Sequence, residues 1–199
     1  MQMVLLEIIR SRVTARSAQQ LIECVGSRNT LVAELAELCL VEIGDKALAR
    51  ICQAAAGGDY TPRAKLLEVC RCIDPGRAAR MAQEFLQTDD PLLKAACVQA
   101  IGDSGDPSDC EALQDVLSTG GDEMVLVSVL QALARLDADA SAGLFEDATG
   151  VPLPGAWWAG ISGLMECSED IRQGSVEALQ RGTSLQKYAA ELVVEPQKF

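Results

Sequence analysis

The sequence lacks histidine altogether and is poor in aromatic residues and in positive charge. Without a histidine among its 199 residues, Ser-His-Asp and Cys-His catalysis and every metal site that needs an imidazole ligand are excluded. No apolar run reaches the about 18 residues that a membrane-spanning helix needs. The 17 basic and 29 acidic residues give a net charge of −12. This charge argues against nucleic acid or an anionic membrane as the main partner.

The residues that are present favour a folded, intracellular protein. Hydrophobic residues make up 49% of the chain and charged residues 23%, which is typical of a globular core and not of disorder. The N-terminus has no basic region of the kind that begins a signal peptide, and Glu7 interrupts its apolar run. We therefore expect a cytoplasmic protein that uses no cofactor or metal.

Eight cysteines form no Cys-x-x-Cys motif, and most of them lie among alanine, leucine and valine. The one close pair, Cys70 and Cys72, would point to different faces of a helix. A thiol in apolar surroundings behaves as a small hydrophobic side chain. The pattern predicts reduced, buried, structural cysteines.

The chain contains an internal repeat. Residues 90–101 and 122–133 align without gaps at an offset of 32 residues, with aspartate, glutamine and alanine recurring. Weaker copies cover residues 63–73 and 31–43. The apolar positions within these segments follow helical spacing, and no segment alternates with a period of two. The repeat therefore predicts pairs of helices.

Proline positions give an independent measure of the helix spacing. An aspartate or threonine caps the first free amides of a helix, and a proline at the first helical position loses no hydrogen bond. Four pairs of this kind predict helix starts, the last three spaced by 16 residues: Thr61-Pro62, Asp74-Pro75, Asp90-Pro91 and Asp106-Pro107.

Together these signals predict an all-α protein, a right-handed α-solenoid of about six antiparallel helical hairpins. We expect residues 1–199 to form a single helical-repeat domain, with an irregular final repeat from about residue 150. The predicted hairpins, with a last helix near 183–194, cover residues 1–28, 29–57, 58–88, 89–119, 120–150 and 151–182.

The segment from about Asp89 to Ala148 resembles HEAT repeats, especially the bacterial subclass named after phycobilisome lyases. The resemblance is carried by Asp90-Pro91, by Gln99-Ala100-Ile101-Gly102 and by the turn Gly105-Asp106-Pro107, with an echo at Ile43-Gly44-Asp45. It implies the architecture more firmly than the function, because this class of repeat serves chromophore lyases, adaptors and regulators alike.

Stacked hairpins usually bind their partners on the concave face, which the second helices line. The charges predicted for that face change sign along the chain. They form either an ordinary solvated face or a polarised groove for a partner of complementary charge. The residues concerned are the basic Lys46, Arg50, Arg77 and Arg80 and the acidic Asp109, Glu111 and Asp115.

Two further segments are candidate interfaces. Neighbouring residues on a helix lie about 100° apart, so Trp157 and Trp158 cannot enter the same core. Either both are buried on different sides, or one is exposed for a partner. Apolar residues surround Glu7 on most sides of the first helix, namely Met3, Val4, Leu5, Leu6, Ile8 and Ile9. Of these, Leu5, Ile8 and Ile9 are the candidate interface residues. That helix either tucks into the stack or docks on a partner, for example a second copy in a homodimer.

The sequence contains no phosphate-binding loop, nucleophile elbow or dinucleotide-binding motif. We therefore expect a non-catalytic adaptor or scaffold that binds another protein or peptide. The alternative is a chromophore-lyase-like or other small-molecule-handling auxiliary factor. Arg77 and Arg80 would then bind the propionates of a linear tetrapyrrole, and Asp109 would lie near its pyrrole nitrogens.

Overall fold

The computed structural model describes residues 17–57, 62–118 and 122–194. All regular structure in these residues is helical, which confirms the all-α prediction. A short 3-10 turn, Pro107–Asp109, precedes the seventh helix. The helices are α1 (Ala18–Val25), α2 (Thr30–Ile43), α3 (Asp45–Ala56), α4 (Arg63–Ile73), α5 (Pro75–Phe85), α6 (Pro91–Ser104), α7 (Cys110–Ser118), α8 (Glu123–Asp137), α9 (Ala142–Thr149), α10 (Pro154–Glu166), α11 (Glu169–Leu179) and α12 (Ser184–Val194).

The helices form an α-solenoid. Helices α2 to α11 lie within five of the predicted hairpin segments, two helices in each, and α12 is the predicted last helix. Of the first predicted hairpin, only α1 lies within the described residues. We call α2, α4, α6, α8 and α10 the first helices and α3, α5, α7, α9 and α11 the second helices. Each first helix packs on the first helix of the next repeat, and each second helix packs on the first helix that follows it. Except for α4 and α5, the two helices of one segment pack on one another less than each second helix packs on the following first helix. The right-handedness of the superhelix stays a prediction.

Side-chain caps fix two of the four helix starts that the proline pairs predict. Asp90 Oδ1 accepts hydrogen bonds from the amides of Leu92 at 3.0 Å and Leu93 at 3.4 Å, and Asp74 caps α5 in the same way. Asn29 and Asp122 cap α2 and α8. An aspartate or asparagine cap of this kind stabilises a helix by about 1 kcal/mol.

Two of the predicted helix starts are displaced. Asp106 accepts a hydrogen bond from the Ser108 amide at 3.0 Å, but it caps the 3-10 turn, so the α-helix α7 begins only at Cys110. Pro62 precedes α4, which begins at Arg63, and is not its first residue. Thr61, its predicted cap, lies outside the described residues.

Small residues allow the helices to approach closely. A Cβ atom on Gly102 would lie 2.6 Å from the Cβ atom of Ala132, where α6 packs on α8. Gly163 of α10 faces the ring of Phe145, to which an added Cβ atom would come within 2.6 Å. Phe145 is fully buried. The repeats are therefore joined by apolar packing between neighbouring first helices and between each second helix and the first helix that follows it.

Candidate protein-interaction surfaces

The basic residues predicted for the second helices are all exposed. Lys46 and Arg50 lie one turn apart on α3, and Arg77 and Arg80 lie one turn apart on α5. Within the described part of the chain, no carboxylate lies within ion-pairing distance of Lys46, Arg77 or Arg80. We call these four residues the basic patch. Lys46, Arg77 and Arg80 can bind a carboxylate or another anion of a partner.

The acidic residues follow on the next second helix. Glu111 and Asp115 are exposed on α7, and Asp109 is half-buried in the turn before it. We call these three residues the acidic patch. The second helix after that, α9, carries Glu146 and Asp147 and so extends the negative charge. The structure thus places the two groups of charge on successive second helices, with the change of sign between α5 and α7.

Asp109 differs from its two neighbours because the fold already uses it. Its Oδ1 atom accepts a hydrogen bond from Gln83 Nε2 on α5 at 2.7 Å. Its Oδ2 atom lies 3.4 Å from Ser104 Oγ at the end of α6. Asp109 therefore joins two repeats, and Glu111 and Asp115 remain as the acidic side chains best placed to meet a partner.

A charge ladder on the first helices is a feature that sequence reasoning missed. Arg71 on α4 pairs with Asp103 on α6, and Arg135 Nε on α8 lies 3.2 Å from the other oxygen of Asp103. The three residues are spaced by 32 positions, the repeat length, and the offset between residues 90–101 and 122–133 would have found them if extended by two positions. The ladder ties three consecutive repeats together on the side of the first helices.

Arg71 is the best-anchored member of the ladder. It also pairs with Glu68, one turn earlier on α4. Hydrogen bonds from Arg71 to Glu68 and Asp103 raise the pKa of the guanidinium above its usual value, although partial burial lowers it. A similar inter-repeat pair joins Lys65 on α4 to Glu37 on α2, with 3.0 Å between Nζ and Oε1.

The two tryptophans face different sides of α10. Trp157 is 9% exposed and Trp158 is 52% exposed, so one is buried and one is available for contact. Their ring centroids lie 5.0 Å apart in an edge-on arrangement. Tyr188 of α12 stacks on Trp157 with a centroid distance of 5.8 Å and an interplanar angle of 14°. We call these three residues the aromatic cluster.

The aromatic cluster borders an apolar pocket of about 430 Å³, which we call the aromatic pocket. Within the described residues, the buried indole N–H of Trp157 has no hydrogen-bond acceptor. A buried donor without a partner costs about 1–3 kcal/mol, which makes this N–H unusual in a folded protein. The remaining lining residues are Val151, Pro152, Leu153, Pro154 and Leu185.

The third predicted interface, Leu5, Ile8 and Ile9, lies outside the described residues. Docking of this segment on a partner or a second copy stays a prediction.

All eight cysteines are free thiols, as the sequence predicts. Cys39, Cys70, Cys97 and Cys167 are buried. Burial raises the pKa of Cys97 to about 12, so this thiol stays protonated at neutral pH. Cys72 departs from the predicted burial, because it lies on the exposed side of α4 while Cys70 enters the core.

The described residues contain neither a candidate metal-ion cluster nor a candidate membrane-spanning helix. In residues 17–57, 62–118 and 122–194, no group of three or more acidic, cysteine or histidine side chains could hold a metal ion. None of the helices in the same residues is both long and apolar enough to cross a membrane.

The fold and its surfaces define a helical-repeat protein with exposed, charged second helices. Residues 48–134 match the family of HEAT repeats, which confirms the predicted resemblance to HEAT repeats at this level. The match begins in α3 and ends in α8, and it therefore includes the ladder up to Asp103 and most of the two charged patches. The lyase-like subclass is not tested by this match. No curated protein matches the chain.

Proposed function

We propose that the chain is a non-catalytic adaptor that binds another protein or peptide across its second helices, which would form the concave face. The observation that carries the proposal is the sign change between the basic patch on α3 and α5 and the acidic patch at α7. HEAT repeats commonly mediate protein–protein interaction, and stacked repeats offer an extended surface for it. The free thiols fit a reducing compartment such as the cytoplasm.

The charge arrangement gives the partner a direction. An acidic end of the partner would meet Arg77 and Arg80, and a basic end would meet Glu111 and Asp115. Complementary charges of this kind speed the encounter and fix its register, while apolar contacts supply most of the affinity. An adaptor that binds its partner in one orientation needs complementary charges that fix this register.

The alternative function, a chromophore-lyase-like or other small-molecule-handling factor, needs Asp109 for its ligand. Asp109 already accepts a hydrogen bond from Gln83 and lies near Ser104, which favours a structural use of this carboxylate. Protein binding is therefore the better-supported proposal. A titration with a linear tetrapyrrole, read by its visible absorbance, tests the alternative directly.

Photo-crosslinking maps the proposed surface. A photoreactive amino acid replaces Gln53 on α3, Gln114 on α7 or, as the control, Gln131 on the first helix α8; all three are exposed. We expect the same partner to crosslink at Gln53 and Gln114 and not at Gln131. Equal capture at all three positions, or capture at Gln131 alone, would contradict the proposed face.

A further inference from the structure

The aromatic pocket is built from aromatic rings and prolines. Trp157 and Trp158 lie on the first turn of α10, directly after Pro152 and Pro154, and all four residues line the same pocket. Tyr188 closes it from α12 by stacking on Trp157. The chain's own prolines therefore already lie at these rings. Aromatic rings that hold one proline-containing segment have the right chemistry to hold a second.

Much of this surface is left uncovered by the described residues. Trp158 is 52% exposed and Tyr188 is 45% exposed, and Leu153 and Leu185 beside them are also exposed. Large apolar side chains that are exposed around one pocket mark an interaction site more often than scattered ones do. Trp and Tyr are also the side chains that most often dominate binding energy.

The exposed rings indicate which kind of segment fits the pocket. Trp158 and Tyr188 are about half exposed, whereas the indole N–H of Trp157 is buried and out of reach of a ligand. A polyproline II helix has no internal hydrogen bonds and presents its proline rings on the outside, so the rings can pack on such aromatic side chains.

The charges around the pocket select the sign of the ligand. Glu123 Oε1 accepts a hydrogen bond from the Gly155 amide at 2.8 Å, so its carboxylate lies beside the start of α10. Asp122 precedes it, and Glu191 lies one turn after Tyr188 on α12. The basic residue nearest to Tyr188 in the sequence is Lys187, which directly precedes it. The surroundings are therefore acidic and complement a positively charged ligand.

We propose that the aromatic pocket binds a basic, proline-containing peptide segment in the polyproline II conformation. Its prolines would pack on Trp158 and Tyr188, and a flanking arginine or lysine would lie near Glu123. This is a known mode of recognition by aromatic-lined grooves in general. The site is separate from the second helices and does not depend on the adaptor proposal.

Intrinsic fluorescence tests the proposal directly, because the only two tryptophans of the chain lie in the pocket. The full chain is titrated with an arginine-flanked polyproline peptide, and a glycine-serine peptide with the same arginines serves as the control. We expect a saturable emission change with a dissociation constant below about 1 mM, for the proline peptide alone. No saturable change, or equal binding of the glycine-serine peptide, would overturn the proposal.

Variants assign the contacts. Trp158→Ala should weaken binding about tenfold, and it leaves Trp157 as the fluorescent reporter. Leu92→Ala on α6, another exposed apolar side chain, should leave the affinity unchanged. If Trp158→Ala binds as well as the unaltered chain, the peptide binds elsewhere and the proposal is wrong.

Glu123→Gln tests the charge preference, because it retains an oxygen for the Gly155 amide. It should weaken the arginine-flanked peptide about threefold and leave a glutamine-flanked polyproline peptide unaffected. Sedimentation checks the remaining occupant, a second copy. If Trp158→Ala converts a dimer to a monomer and the peptide does not dissociate that dimer, the pocket is a self-interface and the proposal is overturned.

Discussion

Gln83 and Asp109 are joined by a hydrogen bond of 2.7 Å between Nε2 and Oδ1. This bond links α5 to the turn before α7, at the place where the charge of the second helices changes from basic to acidic. Asp109 therefore acts first as a connection between repeats, whereas Glu111 and Asp115 carry the exposed charge.

Replacing Asp109 should thus affect stability where its neighbour does not. We expect Asp109→Ala to lower the free energy of unfolding by about 1 kcal/mol, because Gln83 loses its acceptor. The control Asp115→Ala removes an exposed charge and should change stability by less than about 0.5 kcal/mol. Urea unfolding followed by circular dichroism measures both. Equal effects would show that the Gln83 bond contributes nothing.

Two glycines in neighbouring helices should respond oppositely to the same substitution. In Gly163→Ala the new Cβ atom would lie 2.6 Å from the Phe145 ring, and such overpacking costs about 1–3 kcal/mol. In Gly174→Ala the new Cβ atom meets no atom within 4 Å, and alanine in a helix stabilises by about 0.5–1 kcal/mol relative to glycine. Thermal unfolding of both variants tests the packing of α10 on α9, and a melting temperature that rises in both would contradict it.

The charge ladder should be a modest contributor to stability. Asp103→Asn removes the charge that Arg71 and Arg135 share, and we expect a loss of about 1 kcal/mol because the groups are only partly buried. The control Glu169→Gln removes a more exposed partner, that of Arg172, and should cost less. The difference between the variants should shrink at high salt. A loss that does not depend on salt would mean that Asp103 acts by packing and not by its charge.

The buried thiols predict a loss of stability at alkaline pH. Burial raises the pKa of Cys97 to about 12, above the value of about 8.5 expected in the unfolded chain. The folded state thus holds this proton more tightly. Its contribution is complete below about pH 8.5 and is lost as the pH rises towards 12. Urea unfolding at increasing pH should show a steeper decline for the unaltered chain than for Cys97→Ala. Parallel curves would contradict the prediction.

Much of the architecture could be predicted because short local sequence patterns, the capping residues and prolines, mark helix starts. The caps at Asp74 and Asp90 and the prolines after them mark helix starts without any knowledge of tertiary structure. Asp106 carries the same signal but caps a 3-10 turn, because a cap specifies where a turn begins and not which kind of helix follows. The positions of ten helices in five segments were thus predictable, whereas the exact first residue of α7 was not.

The candidate sites were predictable only where exposure follows from helical spacing. Spacing shows that Trp157 and Trp158 face different sides, but only the packing of Tyr188 from α12 decides that Trp157 is the buried one. Likewise, no local pattern shows that Gln83 reaches Asp109, 26 positions later in the chain. Contacts between repeats depend on how the helices stack, and a single sequence carries that information weakly.

The most direct test of the proposed adaptor function is the salt dependence of the association rate with a partner identified by crosslinking. Arg77→Glu with Arg80→Glu should slow association and flatten its dependence on ionic strength, because the basic patch no longer steers the encounter. The control Arg28→Glu with Arg181→Glu makes the same change in net charge at exposed positions outside the patch and should have a smaller effect. An unchanged rate and salt slope in the Arg77 and Arg80 variant would contradict binding across the second helices.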